Sequence, residues 1–510
     1  MRQAQQRPQD IVIVGGGVAG WLTACLVSHY LIKRGHERSS VVVIQSPDVP
    51  VLNVGEGTWP TMRQTLQLIG IDEEVLMRRC RASFKQGSRF LGWRDGRDTY
   101  DHPFDVDARF RSQGALFSAA RMDEPFDRLT SSQPAMIDRK LSPKRASDQA
   151  YKGAFTYGYH LDSGELIKLL AEHATGTLNV KCIEAHIEEV ERDVRGNISA
   201  LKDRSGLEVT GQLFIDCTGA HGLLIKRHFK TRWRPLKGHL FNNTAITTHA
   251  PYLRFEQPIY SATYATAWEQ GWIWDINMAH RRGVGLLYCD ELCSDEQARR
   301  RLEDYLFERC GLSLGGARSI QAEVVRFESG YHESFWVKNC VAVGMSAGFV
   351  EPLEASALVL VERCALKIAK AVSIQELDLE RSAVEYNEDL TSAWQELTIF
   401  LKLHYALSQR EERYWRIHQN PATWPEALRE MISNRKGVST VDLSMIKRSF
   451  FKPFSYLCVT RGMGATPRST AEAEELSTLS SMIESKAMEE LSLCRALPSN
   501  RAVLRKHHRS

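Results

Sequence analysis

Four β-branched residues, Ile11 to Val14, run directly into Gly15, Gly16 and Gly17, and the chain continues Val18-Ala19-Gly20-Trp21. Gly15, Gly17 and Gly20 therefore fill G-x-G-x-x-G between an apolar strand and a helix, the setting that makes this short motif informative. Trp21, Leu22, Cys25 and Leu26 share one face of a helix predicted to reach Ile32, with Gly35 as its stop. In such a turn the first glycine permits the bend. The second lets the backbone approach a pyrophosphate, and the third lets helix and strand pack closely. The free N–H groups of the helix start face the anion. The alternative is an ordinary βα turn with spare glycines, but its place in the chain and its flanks favour an α/β, Rossmann-like nucleotide domain.

Val41 to Ile44 is predicted as the second strand of this βαβ unit. An acid is expected near its end to take a ribose hydroxyl; Gln45 stands there, able to hydrogen-bond but uncharged. In VLNVGEGTWPTM, residues 51–62, Gly55 and Gly57 bracket Glu56, and Pro60 opens a helix predicted to end at Ile69. A glycine-bracketed loop beside a nucleotide site reads either as a mobile strap or as a plain connector. Lys85 lies among small and apolar residues in ASFKQGSRFLGW and, on its own, reads as a surface lysine. Tyr100-Asp101-His102-Pro103-Phe104 sets aromatics around a histidine, an arrangement that more often serves packing than chemistry.

Residues 105–150 are polar and irregular, with a basic run from Lys140 to Arg145, and are predicted to form a solvated, partly mobile excursion. Leu213 to Asp216 reads as a buried strand ending in DCTGAHG, which suits a second nucleotide contact. Gly271 to Tyr288 is predicted as a hairpin, with Trp272, Trp274, Ile276 and Met278 alternating onto one face. Asn339 to Gly344 is another buried strand, and a long helix is predicted from about Ala355 to Val372. Glu354, Ala355, Ser356 and Ala357 fall at its first turn, where small side chains leave backbone N–H groups open to an anion. Glu354 equally suits a helix-start acid with no further role. Residues 380–465 read as mostly helical and aromatic, and the tail from about Ser469 as one amphipathic helix with a basic end and no chemistry.

The net charge is only +4 over 510 residues, which argues neither for nucleic acid nor for a membrane surface, and neither partner is expected. No apolar run reaches the roughly 18 residues of a membrane span, and MRQAQQRPQD lacks the apolar core of a signal peptide. The 11 cysteines are scattered; Cys289 and Cys293 are the closest pair, and no His/Cys set beside them completes a zinc site, so no metal is expected. Scattered thiols suit a reducing cytoplasm.

Five segments together resemble the flavin-dependent tryptophan halogenase family. GGGVAGW, Gly15 to Trp21, resembles the family's FAD fingerprint, and VGEGTWPT, Val54 to Thr61, its flavin strap. ASFK ending at Lys85 resembles the T/S-F-K whose lysine is catalytic, and GWIWDIN, Gly271 to Asn277, resembles W-x-W-x-I-P. GFVEPLEASAL, Gly348 to Leu358, resembles the segment that carries the catalytic glutamate and the halide site. His102 and Phe104 match an H-x-F that helps hold the aromatic substrate. The match spans roughly residues 10 to 465. It departs from the family at Asn277, which replaces a proline, and at Ala355 and Ala357, where tryptophan-specific members carry serine and glycine. FFKPFSY, Phe450 to Tyr456, shows no clear copy of the tyrosine pair and acid that grip a free amino acid.

The resemblance implies an FAD-binding Rossmann-like domain of the glutathione-reductase/hydroxybenzoate-hydroxylase type, discontinuous over residues 1–375. Substrate-region strands would be inserted at about 86–160 and 225–320, followed by a helical cover at 376–465 and a tail at 466–510. Implied cofactor contacts are Gly15, Gly17, Ala19, Gly20, Gln45, Gly55, Glu56, Thr58, Asp216, Gly344 and Phe349. Ser356 and Ala357 would hold the halide, His102, Phe104, Trp272 and Trp274 would lie on the substrate side, and Lys85 and Glu354 would be catalytic. Reduced FAD and dioxygen would turn bromide or chloride into hypohalous acid, which passes to Lys85 and is hydrogen-bonded there or held as a haloamine. An electron-rich aromatic, most simply an indole, would then take the halogen, with Glu354 receiving the ring proton. With no second glycine fingerprint in the chain, a separate NAD(P)H-dependent flavin reductase is implied; a homodimer is compatible with the resemblance. An FAD-dependent aromatic monooxygenase and a non-catalytic FAD-binding protein share the scaffold, and halide dependence separates both from a halogenase.

Overall fold

The structure, a computed structural model, describes residues 10–36, 39–49, 55–374, 377–435, 438–445, 450–468 and 474–509; Val54, the first residue of the expected strap, lies outside them. Asp10–Val14 pairs in parallel with Ser40–Gln45 on one side and Leu213–Asp216 on the other. Lys181–Glu184 and Cys340–Ala342 extend this sheet in parallel, and Trp336–Val337 closes one edge antiparallel. The central strands Asp10–Val14 and Leu213–Asp216 are near-continuous apolar runs and are buried almost throughout. Val18–Lys33, the helix after the glycine turn, packs on Ala357–Val372 and on Ser163–Thr177. Among the described residues no helix is long and apolar enough to cross a membrane.

The expected hairpin is present as Gly271–Asn277 and Arg281–Tyr288. It forms the middle of a seven-stranded sheet that runs from Ala322–Arg326 to Thr99–Pro103. The alternation along Gly271–Asn277 separates two interiors rather than an interior from solvent. Trp272 belongs to the main core, whereas Ile273 joins Leu302, Tyr305 and Leu306 under the helix Asp295–Cys310. Asp275 is buried on that side because Arg282 Nε at 3.0 Å and Tyr305 OH at 3.0 Å donate to its carboxylate. Removing one partner from such a buried pair costs about 3–5 kcal/mol.

Residues 105–150 do not form the expected solvated excursion. They hold the helices Gln113–Ala119, Phe126–Thr130 and Gln133–Asp138, with Phe110, Phe117, Phe126, Met136 and Ile137 buried. Helices of five to seven residues are too short to display a 3.6-residue period in the sequence. Even the basic run is partly interior: Lys144 Nζ donates to Glu73 at 2.7 Å, and Glu73 also accepts from Tyr157 OH and Tyr159 OH. The tail helix Leu476–Ala496 packs over this region, and a second tail helix, Asn500–Arg509, packs on Glu73–Arg79 and on Ser83–Lys85. In the C-terminal part a small sheet, Ile432–Arg435, Val438–Asp442 and Thr466–Arg468, interrupts the helices.

Candidate active site

The three motif glycines have different physical jobs. Gly15 has φ of +119°, and a Cβ there would lie 2.2 Å from Cys217 O; one at Gly20 would lie 1.9 Å from Gly15 O. Packing alone demands these two. A Cβ at Gly17 would meet nothing within 4 Å, and Gly17 caps the helix without a side-chain hydrogen bond. The helix start thus opens onto space with free N–H groups, a cradle that fits the pyrophosphate of FAD. Gly344, at φ +74°, brings the loop after Cys340–Ala342 onto the same helix start; a Cβ there would lie 2.9 Å from Ala19 Cβ. Gln45 ends its strand as expected and folds over Gly16, its Oε1 2.6 Å from where a Cβ would stand.

Asp216 is fully buried and its carboxylate is engaged inside the protein. Oδ1 accepts from Thr218 N at 3.0 Å and Thr218 Oγ1 at 2.6 Å, and Oδ2 accepts from Leu224 N and Ile225 N at 2.8 Å. Its side chain fastens the turn beneath the glycine motif. Phe349 packs edge-on against Phe327, with ring centroids 5.1 Å apart.

The strap and the lysine flank one strand. Gly55–Gly57 pairs with one edge of Gly158–Asp162 and Ser83–Lys85 with the other, setting Glu56 opposite Leu161 and Phe84 opposite Tyr159. Thr58 is buried and locks the strap: its N–H donates to Tyr159 O and its Oγ1 accepts from Tyr159 N, both at 2.8 Å. Trp59 Nε1 donates to Glu354 O at 2.8 Å. At Gly57 a Cβ would lie 3.1 Å from Lys85 Nζ and 3.4 Å from Ala355 Cβ, so strap, lysine and glutamate segment meet there.

Lys85 is completely buried, and its Nζ has no hydrogen-bond partner among the described residues. The Phe104 ring centroid lies 5.3 Å from it. Burial brings the amine down to about 8, against the opposing pull of Glu354 and Glu56. Burial in turn pushes the Glu56 carboxyl up to about 7, with Lys85 pulling it back, so the strap acid is coupled to the lysine as well as expected at the cofactor. Glu354 Oε1 accepts from His102 Nδ1 at 2.8 Å and His404 Nε2 at 3.2 Å. Burial raises this carboxyl, but the two imidazoles together outweigh burial and hold it below the usual carboxylate range.

Glu354 and Ala355 are both left-handed, at φ +65° and +51°. Such a conformation costs non-glycine residues of order 1–3 kcal/mol each and persists where surrounding structure over-determines it. The kink also delays the long helix, which begins at Ala357 rather than near Ala355. Ser356 stands at its N-cap without a side-chain cap bond, buried, while Ala357 is exposed, so the first-turn N–H groups carry no internal side-chain acceptor.

Trp272 and Trp274 stand edge to face with centroids 6.2 Å apart. Gly285, opposite Trp274 in the register, makes room for its indole; a Cβ there would fall 1.9 Å from the ring. Trp93 bridges Trp272 at 5.9 Å to His404 at 6.0 Å. Asn277 donates from Nδ2 to Asp275 Oδ1 at 2.9 Å, and its carbonyl accepts from Ser83 Oγ, two residues from Lys85. Phe450 and Phe451 pack on Trp59 at 5.3 and 5.0 Å, Phe451 stacks on Phe400 at 3.7 Å, and Phe400 meets the His102 ring at 5.9 Å.

Sequence reasoning placed Gly57 and Trp59 in the strap without giving either a contact of its own, and it did not assign His404. The one trace of His404 was its i, i+4 spacing from Phe400 on a helix; its partner, Glu354, is 50 residues away. No described group of three or more His, Cys, Asp or Glu side chains could hold a metal.

Comparison with known proteins agrees with this geometry. The tryptophan halogenase family pattern matches residues 10–477. Tryptophan 6-halogenase ThaL of Streptomyces albogriseolus is 29% identical over 503 residues, covering 92% of this chain and 91% of that protein. The structure of tryptophan halogenase from Shewanella frigidimarina NCIMB 400 superposes with a TM-score of 0.90 at 34% identity, covering 99% of this chain and 98% of that one. Tar14, a tryptophan C-6 flavin-dependent halogenase (chlorinase) from taromycin biosynthesis, superposes with a TM-score of 0.86 at 26% identity, covering 98% and 100%. A pattern that begins at the first strand and ends only in the tail leaves one assignment: the chain belongs to the tryptophan halogenase family of flavin-dependent halogenating oxidoreductases.

Proposed function

We propose that this protein uses Lys85 to deliver bromide- or chloride-derived halogen to an electron-rich, indole-type aromatic, with reduced FAD supplied by a separate NAD(P)H-dependent flavin reductase. The observation that carries this reading is the Lys85 amine, buried beside an aromatic face and two carboxylates without a hydrogen-bond partner among the described residues. Gly15, Gly17, Ala19 and Gly20, with the strap Gly55–Thr58, would hold FAD, whose reduced form would supply, with dioxygen, the oxidation of halide to hypohalous acid. The open first-turn N–H groups at Ser356 and Ala357 suit the halide. Trp272 and Trp274 wall the aromatic substrate off.

At Lys85 the amine hydrogen-bonds the hypohalous acid or takes its halogen; in the latter case an N–X bond forms, the O–X bond breaks and water leaves. The aromatic carbon attacks the halogen, and the carbon–halogen bond forms as the bond from halogen to nitrogen or oxygen breaks. Glu354, kept ionised by His102 and His404, accepts the ring proton. Partial desolvation is what makes a lysine amine available for such a step.

Flat surfaces from His102 and Phe104 select a ring; aromatic stacking adds about 0.5–1.5 kcal/mol beyond buried area. A free amino acid is a zwitterion and needs partners for both charges, so an indole is favoured over free tryptophan. Incubation with flavin reductase, NADH, FAD and an aromatic panel, with bromide, chloride or no halide, tests this by the halogen isotope pattern of the product. Halide-dependent halogenation is expected; halide-independent hydroxylation would show a monooxygenase instead. A much higher kcat/KM for tryptophan than for indole would overturn the substrate preference.

A further inference from the structure

The strand that carries Lys85 is an edge. Among the described residues, Ser83–Lys85 pairs with Gly158–Asp162 on one side only, which leaves one row of its backbone groups without a partner in the sheet. Because the Lys85 amine makes no hydrogen bond among the described residues, only the backbone and packing aim it. Past the strand, Gln86 N donates to Ser261 O at 2.7 Å; the Phe84 carbonyl is met from the far end of the chain. Asn500, completely buried at the start of the last helix, donates from Nδ2 to Phe84 O at 3.3 Å.

The same tail joint reaches both neighbours of this contact. Asn500 N donates to Lys140 O at 2.8 Å, Ser142 N donates to Pro498 O at 2.9 Å, and Leu141 forms a bridge with Ser499. Gln86, next to Lys85, donates from Nε2 to Leu141 O at 3.0 Å. On the other side, Arg501 lies 4.7 Å over the Tyr252 ring, and Tyr252 OH donates to Asn277 Oδ1 at 3.3 Å. Asn277 O in turn accepts from Ser83 Oγ. The family pattern stops at residue 477, so the tail side of this clamp lies beyond it.

We propose that Asn500 is a positioning residue for Lys85: by holding the Phe84 carbonyl it fixes the peptide plane from which the lysine side chain enters the site. The Phe84 carbonyl and the Lys85 N–H share one planar unit, so tilting it swings the whole Lys85 side chain. A misplacement of about 1 Å far from the chemistry is enough to cost about 100-fold in rate. The inference rests on the role of Lys85 proposed above.

The test is made in the full chain with Asn500→Ala, Asn500→Asp, which keeps the shape without the donor, and Asn500→Gln, which restores a donor. Product formed per flavin oxidised is read with a scavenger that traps escaping hypohalous acid, alongside Lys85→Ala as reference. Asn500→Ala and Asn500→Asp are expected to lower kcat for halogenation by about 10-fold, with KM for the aromatic and the rate of flavin oxidation within about 2-fold of the parent. The missing product should appear as trapped hypohalous acid, and Asn500→Gln should recover part of the coupling. Unchanged coupling in both variants, while Lys85→Ala makes no product, would overturn the role of Asn500 and leave that of Lys85 standing. Full product from Lys85→Ala would instead sink the lysine reading itself. If flavin oxidation and product fall together with the melting temperature, or if neither Asn500→Ala nor Asn500→Asp folds, the tail only stabilises the fold and the proposal fails.

Discussion

Lys85 and Lys402 are both completely buried, and burial brings their amines down to about 8 and about 7. Each feels a glutamate from one short loop, Glu354 for the first and Glu351 for the second. Their surroundings differ. Lys402 Nζ lies 2.9 Å from His418 Nδ1 and 4.7 Å from the Phe241 ring centroid. Glu351 is wrapped by Tyr405 OH and Asn242 Nδ2, and Asn242 is backed by Tyr414 OH at 3.1 Å. Lys85 has no hydrogen-bond partner among the described residues, and its glutamate sits on left-handed backbone. A lowered amine therefore marks burial in both places. An unfilled hydrogen-bonding capacity beside backbone strain marks only one, and that combination points to chemistry.

The sharpest way to break the comparison is to neutralise each glutamate. Glu354→Gln should slow halogenation by about 100-fold, the lower end of what losing a general acid or base costs, with flavin binding retained. Glu351→Gln should keep kcat within about 3-fold, since its contacts brace the core rather than meet the reacting ring. Equal losses in the two variants would erase the distinction.

A smaller effect is expected from space. A Cβ at Gly57 would press on Lys85 Nζ at 3.1 Å, while one at Gly176, on an outer helix, would meet nothing within 4 Å. Gly57→Ala should lower product per flavin oxidised by about 10-fold as the amine is displaced, and Gly176→Ala should leave it unchanged. Coupled turnover by both would mean that the lysine has more freedom than its burial suggests.

The smallest effect is a shift in pH dependence. With the Lys85 amine titrating near 8 and Glu354 ionised throughout, the neutral, nucleophilic amine gains population as pH rises through that value. Product per flavin oxidised should rise with it. The Glu56 carboxylate favours the ammonium form, so Glu56→Gln should move this limb to lower pH by less than about one unit. A limb that stays in place, or moves upward, would separate Glu56 from the lysine.

What could be read before folding follows from how local each job is. Gly20 is demanded by a close approach to Gly15 O inside one βα turn, and Gly15 by its positive φ in that same turn, and the hairpin at 271–288 declares itself by alternation. Lys85 looks like any lysine in the sequence, because its burial and its missing partner are properties of distant chain; only the family resemblance pointed to it. Trp59 and Glu354 lie 295 residues apart and His404 and Glu354 lie 50 apart, so no window of sequence shows their hydrogen bonds. The segment 105–150 was misread because its short helices carry polar outer faces and gain their cover from the tail. The tail, read as having no chemistry, packs on the lysine strand and donates to it from the buried Asn500 amide, which composition cannot reveal.

The most direct measurement replaces each amine with an unbranched apolar side chain. Lys85→Met and Lys402→Met are assayed side by side at saturating halide, with product, flavin oxidation and trapped hypohalous acid all counted. Lys85→Met is expected to oxidise flavin and release hypohalous acid while making no halogenated aromatic, and Lys402→Met to stay coupled like the parent. Halogenation by Lys85→Met at the parent's rate with the scavenger present, or an equal loss of coupling in Lys402→Met, would contradict the assignment of the halogen-carrying role to Lys85.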